Sequence, residues 1–259
     1  MKINRINGAL SLKLRKALFS LSHLRCWNAL FLGVAPAIEH RPVLARLDCD
    51  LILDVGANRG QFSLISRMVK PTIPIVAFEP IQTEAEVFRK ALFGKNVQLH
   101  CVALGEHAGE AEIHLSRKAD SSSLLPIGEA QSKLFTATDE IGTLKVPVKR
   151  LDDFKSEWQE YSRILLKIDV QGFELSVLKG SSETLKNCVY VFVECSEIEL
   201  YVGQALYRDV ADFLNQQGFR LHSRFTEKVV HGKLIEADYL FVRSSSSKTS
   251  ATESTNLPA

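Results

Sequence analysis

Four carboxylates in this chain fall at the ends of short apolar runs: Asp54, Glu79, Asp169 and Glu194. Any one of them could serve as a helix cap or a solvated turn. Four along one rim call for more, because crowded carboxylates repel one another unless a cationic ligand or a basic group offsets them. Around the first, Asp54-Val55-Gly56-Ala57-Asn58-Arg59-Gly60 follows an apolar run and opens a helical pattern. There Gly56 can let the backbone approach a ligand, and Gly60 can let the helix pack closely. Glu79 closes the next apolar run, where a carboxylate can accept both hydroxyls of a ribose. A hydrogen bond to a charged group contributes roughly 1.5 to 3 kcal/mol net, so such a clamp governs affinity by an order of magnitude or more.

A rim of this kind suits S-adenosylmethionine, which carries a sulfonium, an ammonium and a ribose diol and has no phosphate. A nicotinamide or flavin dinucleotide would also use an acid on the second strand. Its pyrophosphate, however, calls for GxGxxG, and Asn58 stands where the second glycine belongs. The lysine pattern of a nucleotide-triphosphate loop is absent as well.

These residues need a frame that brings strand ends together. From residue 51 onward short apolar runs alternate with helical patterns, as in a doubly wound, mostly parallel α/β sheet with helices on both faces. The runs are 51–55, 75–78, 97–104, 164–169 and 189–194, with helices through Phe62, Ile65 and Met68, over 85–93, over 174–186 and over 205–217. Two further runs, 219–225 and 237–243, joined through His231-Gly232, complete seven strands as a C-terminal antiparallel pair. Residues 105–150 interrupt the rhythm with a hairpin-like insertion whose polar stretch, Asp120-Ser121-Ser122-Ser123, reads as a mobile loop. In open α/β sheets ligands bind beyond the carboxyl ends of the strands where strand order reverses, here between the first strand and the one ending at Asp169.

Composition sets outer limits. With 259 residues the chain can bury one full α/β core, and a formal net charge of +2 provides no general field for nucleic acid. The five cysteines are odd in number and form no CxxC pair, which disfavours a disulfide framework and a zinc site and fits a cytoplasmic, reducing location. Residues 1–45 read as a basic helical extension: Lys2, Arg5, Lys13, Arg15, Lys16 and Arg25 accompany leucines at helical spacing. It is expected to cover the domain, with weak contact to a membrane surface as the alternative. No apolar stretch there can span a bilayer, and no cleavage site follows one. Residues 244–259 are serine-rich and read as a disordered tail.

The segments DVGANRGQF (54–62), FEP (78–80), NVQLHCVALGEHAGEAEIH (96–114), DSSSLLP (120–126), VKRLDDF (148–154), LLKIDVQGFELSVLKG (165–180) and VECSEIELY (193–201) together resemble the FkbM family of methyltransferases. The likeness runs over about residues 33–243, in order and at matching spacing. It implies a class I methyltransferase domain with a Rossmann-like sheet over residues 46–243, S-adenosylmethionine as cofactor, and O-methylation of a sugar, glycan or other small hydroxylated metabolite. It places the cofactor loop at Asp54, Gly56, Asn58 and Gly60, the ribose acid at Glu79, and a second motif set at Asp169, Gly172, Glu174 and Glu194. Gln171 departs from the glutamate many members carry. The third strand ends Cys101-Val102-Ala103-Leu104 with no acid for the adenine amine, so backbone and apolar contacts at Val102, Ala103 and Leu104 are expected to hold it.

Transfer of a methyl group to an alcohol mainly needs alignment, exclusion of water and a base. Asp169, which would also border the cofactor, is the first candidate for that base, with Glu174 and Glu194 behind it. Lys167, a charge inside an apolar strand, is expected to pair with a rim carboxylate. No metal is called for. Two other readings stay open: a cofactor-binding scaffold without turnover, and a methyltransferase for a protein or nucleic acid.

Overall fold

The computed structural model describes residues 12, 14–16, 19, 27–94 and 96–244. Five strands alternate with helices: β1 (Leu51–Val55), β2 (Ile75–Phe78), β3 (Val97–His100), β7 (Ile164–Ile168) and β8 (Cys188–Ser196). Between β3 and β7 lie β4 (Ala103–Leu104), β5 (Gly109–Ser116) and β6 (Glu140–Lys149), and the chain ends with β9 (Phe219–Val230) and β10 (Lys233–Arg243). The main sheet has seven strands in the order β3-β2-β1-β7-β8-β10-β9. Its first five are parallel, and β10 pairs antiparallel with both β8 and β9. Strand order therefore reverses between β1 and β7, as expected from the sequence.

Among the described residues from Trp27 onward the α-helices are α1 (Trp27–Phe31), α2 (Arg41–Arg46), α3 (Gln61–Val69), α4 (Gln82–Ala91), α5 (Glu129–Leu134), α6 (Glu174–Lys179) and α7 (Tyr207–Gln216). Alternation along a strand sends neighbouring side chains to opposite faces. Leu51, Leu53 and Val55 accordingly join Leu166, Ile168, Val193 and Trp158 in one core, while Ile52 joins Leu165, Phe192 and Phe62 in another. Strands buried on both faces need to be apolar at every position, which makes Asp54, Lys167 and Glu194 conspicuous.

The structure corrects several sequence expectations. The third run does not continue to Leu104: β3 stops at His100, and β4 leaves the main sheet to pair with β6 in a separate three-stranded sheet of order β4-β6-β5. The helix expected over 174–186 ends at Lys179, and a tight turn at Thr184–Asn187 follows. Asp120 to Ser123 do not project as a free loop. Ser121 and Ser123 are buried, Ser123 pairs with His114 through backbone bonds, and its hydroxyl donates to the Gln171 carbonyl at 2.6 Å. The terminal hairpin is longer than its apolar residues indicate, because its turn at His231 (φ 49°) and Gly232 (φ 78°) has the left-handed geometry that suits twisted strands.

On the N-terminal side of β1 the described residues pack against β1 and α3. Val43, Leu44 and Leu47 pack against Ile52, Phe62 and Ile65, and Lys16 pairs with Glu39 at 2.7 Å. Most of the basic helix expected there lies outside the described residues, as does the serine-rich tail from residue 245 onward. No helix among the described residues is long and apolar enough to cross a membrane.

Candidate active site

The loop from β1 to α3 is built on close approaches. At Gly56 (φ 74°) an added Cβ would sit 1.8 Å from the Asp169 carbonyl oxygen, so the contact this glycine permits is to β7's continuation rather than to a ligand alone. At Gly60 (φ 94°) a Cβ would meet Leu92 and Phe88 at 2.8 and 2.9 Å, which locks α3 against α4. Asn58 is left-handed too (φ 47°), and asparagine tolerates that conformation where most residues do not.

Every backbone N–H from residue 56 to residue 60 is satisfied from within the protein. Gly56 and Ala57 donate to the Phe78 carbonyl, and Gly60 donates to that of Ala57. Asn58 donates to Glu79 Oε2 at 2.8 Å and Arg59 to Asn58 Oδ1 at 2.7 Å. A loop with its donors spent cannot cradle a pyrophosphate, the task that dinucleotide loops perform.

A cleft opens above this loop, between the ends of β1, β2 and β7. Of the cofactor residues expected from the sequence, Gly56, Asn58, Glu79, Val102, Ala103, Leu104 and Asp169 line it. Asp54 and Gly60 do not. Asp54 is fully buried, accepts a hydrogen bond from Ser63 at 2.6 Å and lies 3.2 Å from Lys167 Nζ. The excursion of β4 brings Val102 to Leu104 to the cleft wall beside Phe78 and Ile81, giving an apolar slot near the buried acid. Glu79 is 4% exposed. Burial pushes its carboxyl up to about 7, against the opposing effect of N–H donors at Ile81 and Asn58. Each oxygen accepts one of those donors, at 2.9 and 2.8 Å, and a carboxylate oxygen can accept a second.

Past the end of β7, Asp169 faces the same cleft with its side chain 37% exposed. Burial alone would raise its carboxyl, but Lys167 at 3.7 Å and the Gln171 amide outweigh that and hold it below the usual aspartate range. Gln171 is a hub. Its Nε2 donates to Asp169 Oδ1 and to Glu194 Oε2, both at 2.8 Å, and its Oε1 accepts from the Tyr201 hydroxyl at 2.9 Å. It adopts φ 56°, a conformation costly for this residue type and typical of ligand sites.

A second cleft adjoins the first and shares Asp120, Asp169 and Gln171 with it. Glu194 lines this second cleft, and burial together with the charge of Asp169 raises its carboxyl well above the ordinary range. Glu174 lines neither. It is 3% exposed and accepts the N–H groups of Gly172 at 2.9 Å and Val170 at 3.3 Å, and burial raises its carboxyl to about 7. The three acids expected at the chemistry thus separate: Asp169 on the shared wall, Glu194 in the second cleft, Glu174 beneath the loop that carries Asp169. Gln131, Lys228 and Glu236, which no local sequence signal marked, join Glu194 in the second cleft because α5 and the terminal hairpin fold over it. Among the described residues no cluster of His, Cys, Asp and Glu could hold a metal ion.

Residues 54–221 match the family model described as Methyltransferase FkbM domain. Over 199 residues the chain is 29% identical to the 2-O-methyltransferase NoeI of Sinorhizobium fredii, covering 73% of this chain and 81% of that protein. It is 31% identical over 149 residues to Methyltransferase 1 of Beauveria bassiana, covering 51% of this chain and 59% of that protein. Among solved structures, the chain aligns with magnesium protoporphyrin IX methyltransferase from Synechocystis PCC 6803 at a TM-score of 0.43 and 11% identity, over 80% of this chain and 81% of that one.

Proposed function

We propose, from the premise that this chain belongs to the FkbM methyltransferase family, that it methylates a hydroxyl oxygen of a sugar, glycan or other small hydroxylated metabolite. One observation carries this reading: a cleft bordered by the glycine loop and Glu79, without free phosphate-binding donors in that loop, adjoins at Asp169 a second cleft lined by carboxylates. The relative from Sinorhizobium fredii is named a 2-O-methyltransferase, which also favours an oxygen acceptor.

The residues present fit S-adenosylmethionine, which supplies when bound a methyl group activated on a sulfonium. Glu79 has lone pairs left for ribose hydroxyls, the slot at Val102, Ala103 and Leu104 suits an adenine ring, and Gly56, Asn58 and Asp169 border the remainder. Asp54 and Gly60 act one step removed, by holding the loop in shape. Asp169 is the group we assign to receive the acceptor's proton. It stays ionised, and a hydroxyl becomes acidic as its oxygen forms the new bond, so even a carboxylate of low basicity suffices. Glu194 orients the acceptor from the second cleft. Glu174 holds the loop at residues 170–172 in place. Four cysteines among the described residues are free thiols, which supports a reducing compartment, and we place the protein in the cytoplasm.

Transfer of a labelled methyl group from S-adenosylmethionine to fractionated cell extract tests the function, with calorimetry of S-adenosylhomocysteine binding alongside. Label is expected in the small-molecule or glycan fraction. Binding without transfer would make the chain a scaffold, and label confined to protein or RNA would move the acceptor to a macromolecule.

A further inference from the structure

The second cleft is walled by parts of the chain with no share in the first: α5 and the turn after it through Gln131, Phe135 and Thr136, and the terminal hairpin through Lys228 and Glu236. Among the described residues the two clefts share Asp120, Asp169 and Gln171. A displacement at a methyl carbon requires the incoming oxygen to approach in line. The oxygen must therefore reach the shared wall from a side that the cofactor does not fill.

The polar groups of this cleft indicate what can fill it. Each of its carboxylates already has a cation. Asp120 lies 3.1 Å from Lys118, Asp169 lies 3.7 Å from Lys167, and Lys228 bridges Glu236 and Glu194, the latter at 3.2 Å. Both lysines that line the cleft are thus committed, which leaves an anionic ligand to face carboxylates, and like charges repel at such distances. A cationic ligand meets carboxylates that each already contact a lysine, and Lys118 and Lys228 on the same wall repel it. Hydrogen-bond acceptors remain open. Gln131 is 3% exposed; its Nε2 donates to Tyr201 Oη at 3.1 Å, and its Oε1 has no partner in the protein. A buried amide oxygen without a donor is uncommon and calls for one. Carboxylate lone pairs beside it add further acceptors, and Leu134 and Phe135 supply an apolar wall.

We infer that the second cleft is the acceptor subsite and that it selects an uncharged polyhydroxylated ring, whose hydroxyl hydrogens meet Asp169, Gln131 Oε1 and the neighbouring carboxylates. Rings bearing a carboxylate or a phosphate at the bound position are refused. This rests on the O-methyl reading above for the step that follows binding, but the location and charge selection of the site can be measured without turnover.

Ligand-observed saturation-transfer NMR on the full chain loaded with S-adenosylhomocysteine provides that measurement. The probes are methyl glycosides of neutral hexoses and deoxyhexoses, the matching uronates and 6-phosphates, and 2-amino sugars. At least one neutral glycoside is expected to bind, at least tenfold tighter than its charged counterparts. Thr136 is exposed on the cleft wall, so Thr136→Trp is expected to abolish the glycoside signal while affinity for S-adenosylhomocysteine stays within twofold; Thr136→Arg serves as a second obstruction. No binding by any neutral glycoside, preference for the charged sugars, or an unchanged signal in both variants would overturn the inference, as would loss of S-adenosylhomocysteine binding in both. Glycoside binding that Thr136→Trp blocks, without methyl transfer in the wild type, would uphold the subsite and sink the function proposed above.

Discussion

Lys167 and Asp54 occupy paired positions on adjacent parallel strands, with the ammonium 3.2 Å from a carboxylate that is fully buried. The same ammonium donates to the Gly56 carbonyl at 3.2 Å and reaches toward Asp169. One buried cation thus ties the glycine loop to the acid on the shared wall. Removing one member of such a pair leaves an uncompensated charge in the core, which typically costs about 3 to 5 kcal/mol. Lys167→Met is expected to lower Tm markedly in thermal denaturation. A variant as stable as the wild type would show that Asp54 is neutralised in some other way.

Glu79 carries a pH dependence with a definite sign. Its carboxyl titrates at about 7, and only the ionised form offers full acceptor strength to a ribose diol. Cofactor affinity is therefore expected to weaken as pH falls from 8 to 6, and Glu79→Gln to bind roughly tenfold or more weakly, in line with a lost charged hydrogen bond of about 1.5 to 3 kcal/mol. Calorimetry across that range, with circular dichroism as the fold control, decides it. Wild-type affinity in the variant would place the ribose elsewhere.

Glu174 acts on stability. Its folded-state value of about 7 stands above the 4.5 of an unperturbed glutamate, so its protonated form favours the native state. That contribution is complete below pH 4.5 and is lost as pH rises through 7. Glu174→Gln keeps an oxygen for the Gly172 and Val170 N–H groups and cannot ionise. Relative to wild type it is expected to gain about 1 to 3 kcal/mol on going from pH 5 to pH 8, read from Tm at each pH. A difference independent of pH would mean that Glu174 ionises freely in the folded protein.

Asp169→Asn separates binding from chemistry. A positioned base typically contributes a factor of about 10² to 10⁴ in rate, so kcat is expected to fall within that range while S-adenosylhomocysteine affinity changes by only a few fold. A collapse of affinity with kcat unaltered for bound substrate would assign this residue to holding the cofactor.

Gly56→Ala is expected to yield no stable fold. The new methyl would need the space of the Asp169 carbonyl oxygen, and the backbone there is left-handed (φ 74°), a conformation that disfavours side chains. Soluble, folded protein with ordinary Tm would show that the β1 and β7 ends separate more readily than their hydrogen bonding indicates.

Local pattern was sufficient for everything set by one strand or one turn. Apolar runs gave the parallel strands, carboxylates at or near the ends of four of the five marked the rim, and Gly56 and Gly60 marked the close approaches, because burial on both faces and left-handed backbone leave direct traces in residue type. Asp54, Glu79 and Asp169 were legible for that reason, although nothing local distinguished Asp54, buried against Lys167, from the two acids that face the cleft.

Tertiary structure decided the rest. Whether Glu174 meets a ligand or a loop N–H depends on the turn at residues 170–172. The place of Val102 to Leu104 depends on β4 leaving the sheet to pair with β6. The second cleft is drawn from α5, β8, β9 and β10, segments as far apart in the chain as Gln131 and Glu236. A site assembled across such separations is fixed by packing and hydrogen bonding between elements, whose energies depend on distances in space, and no short stretch of residues encodes those.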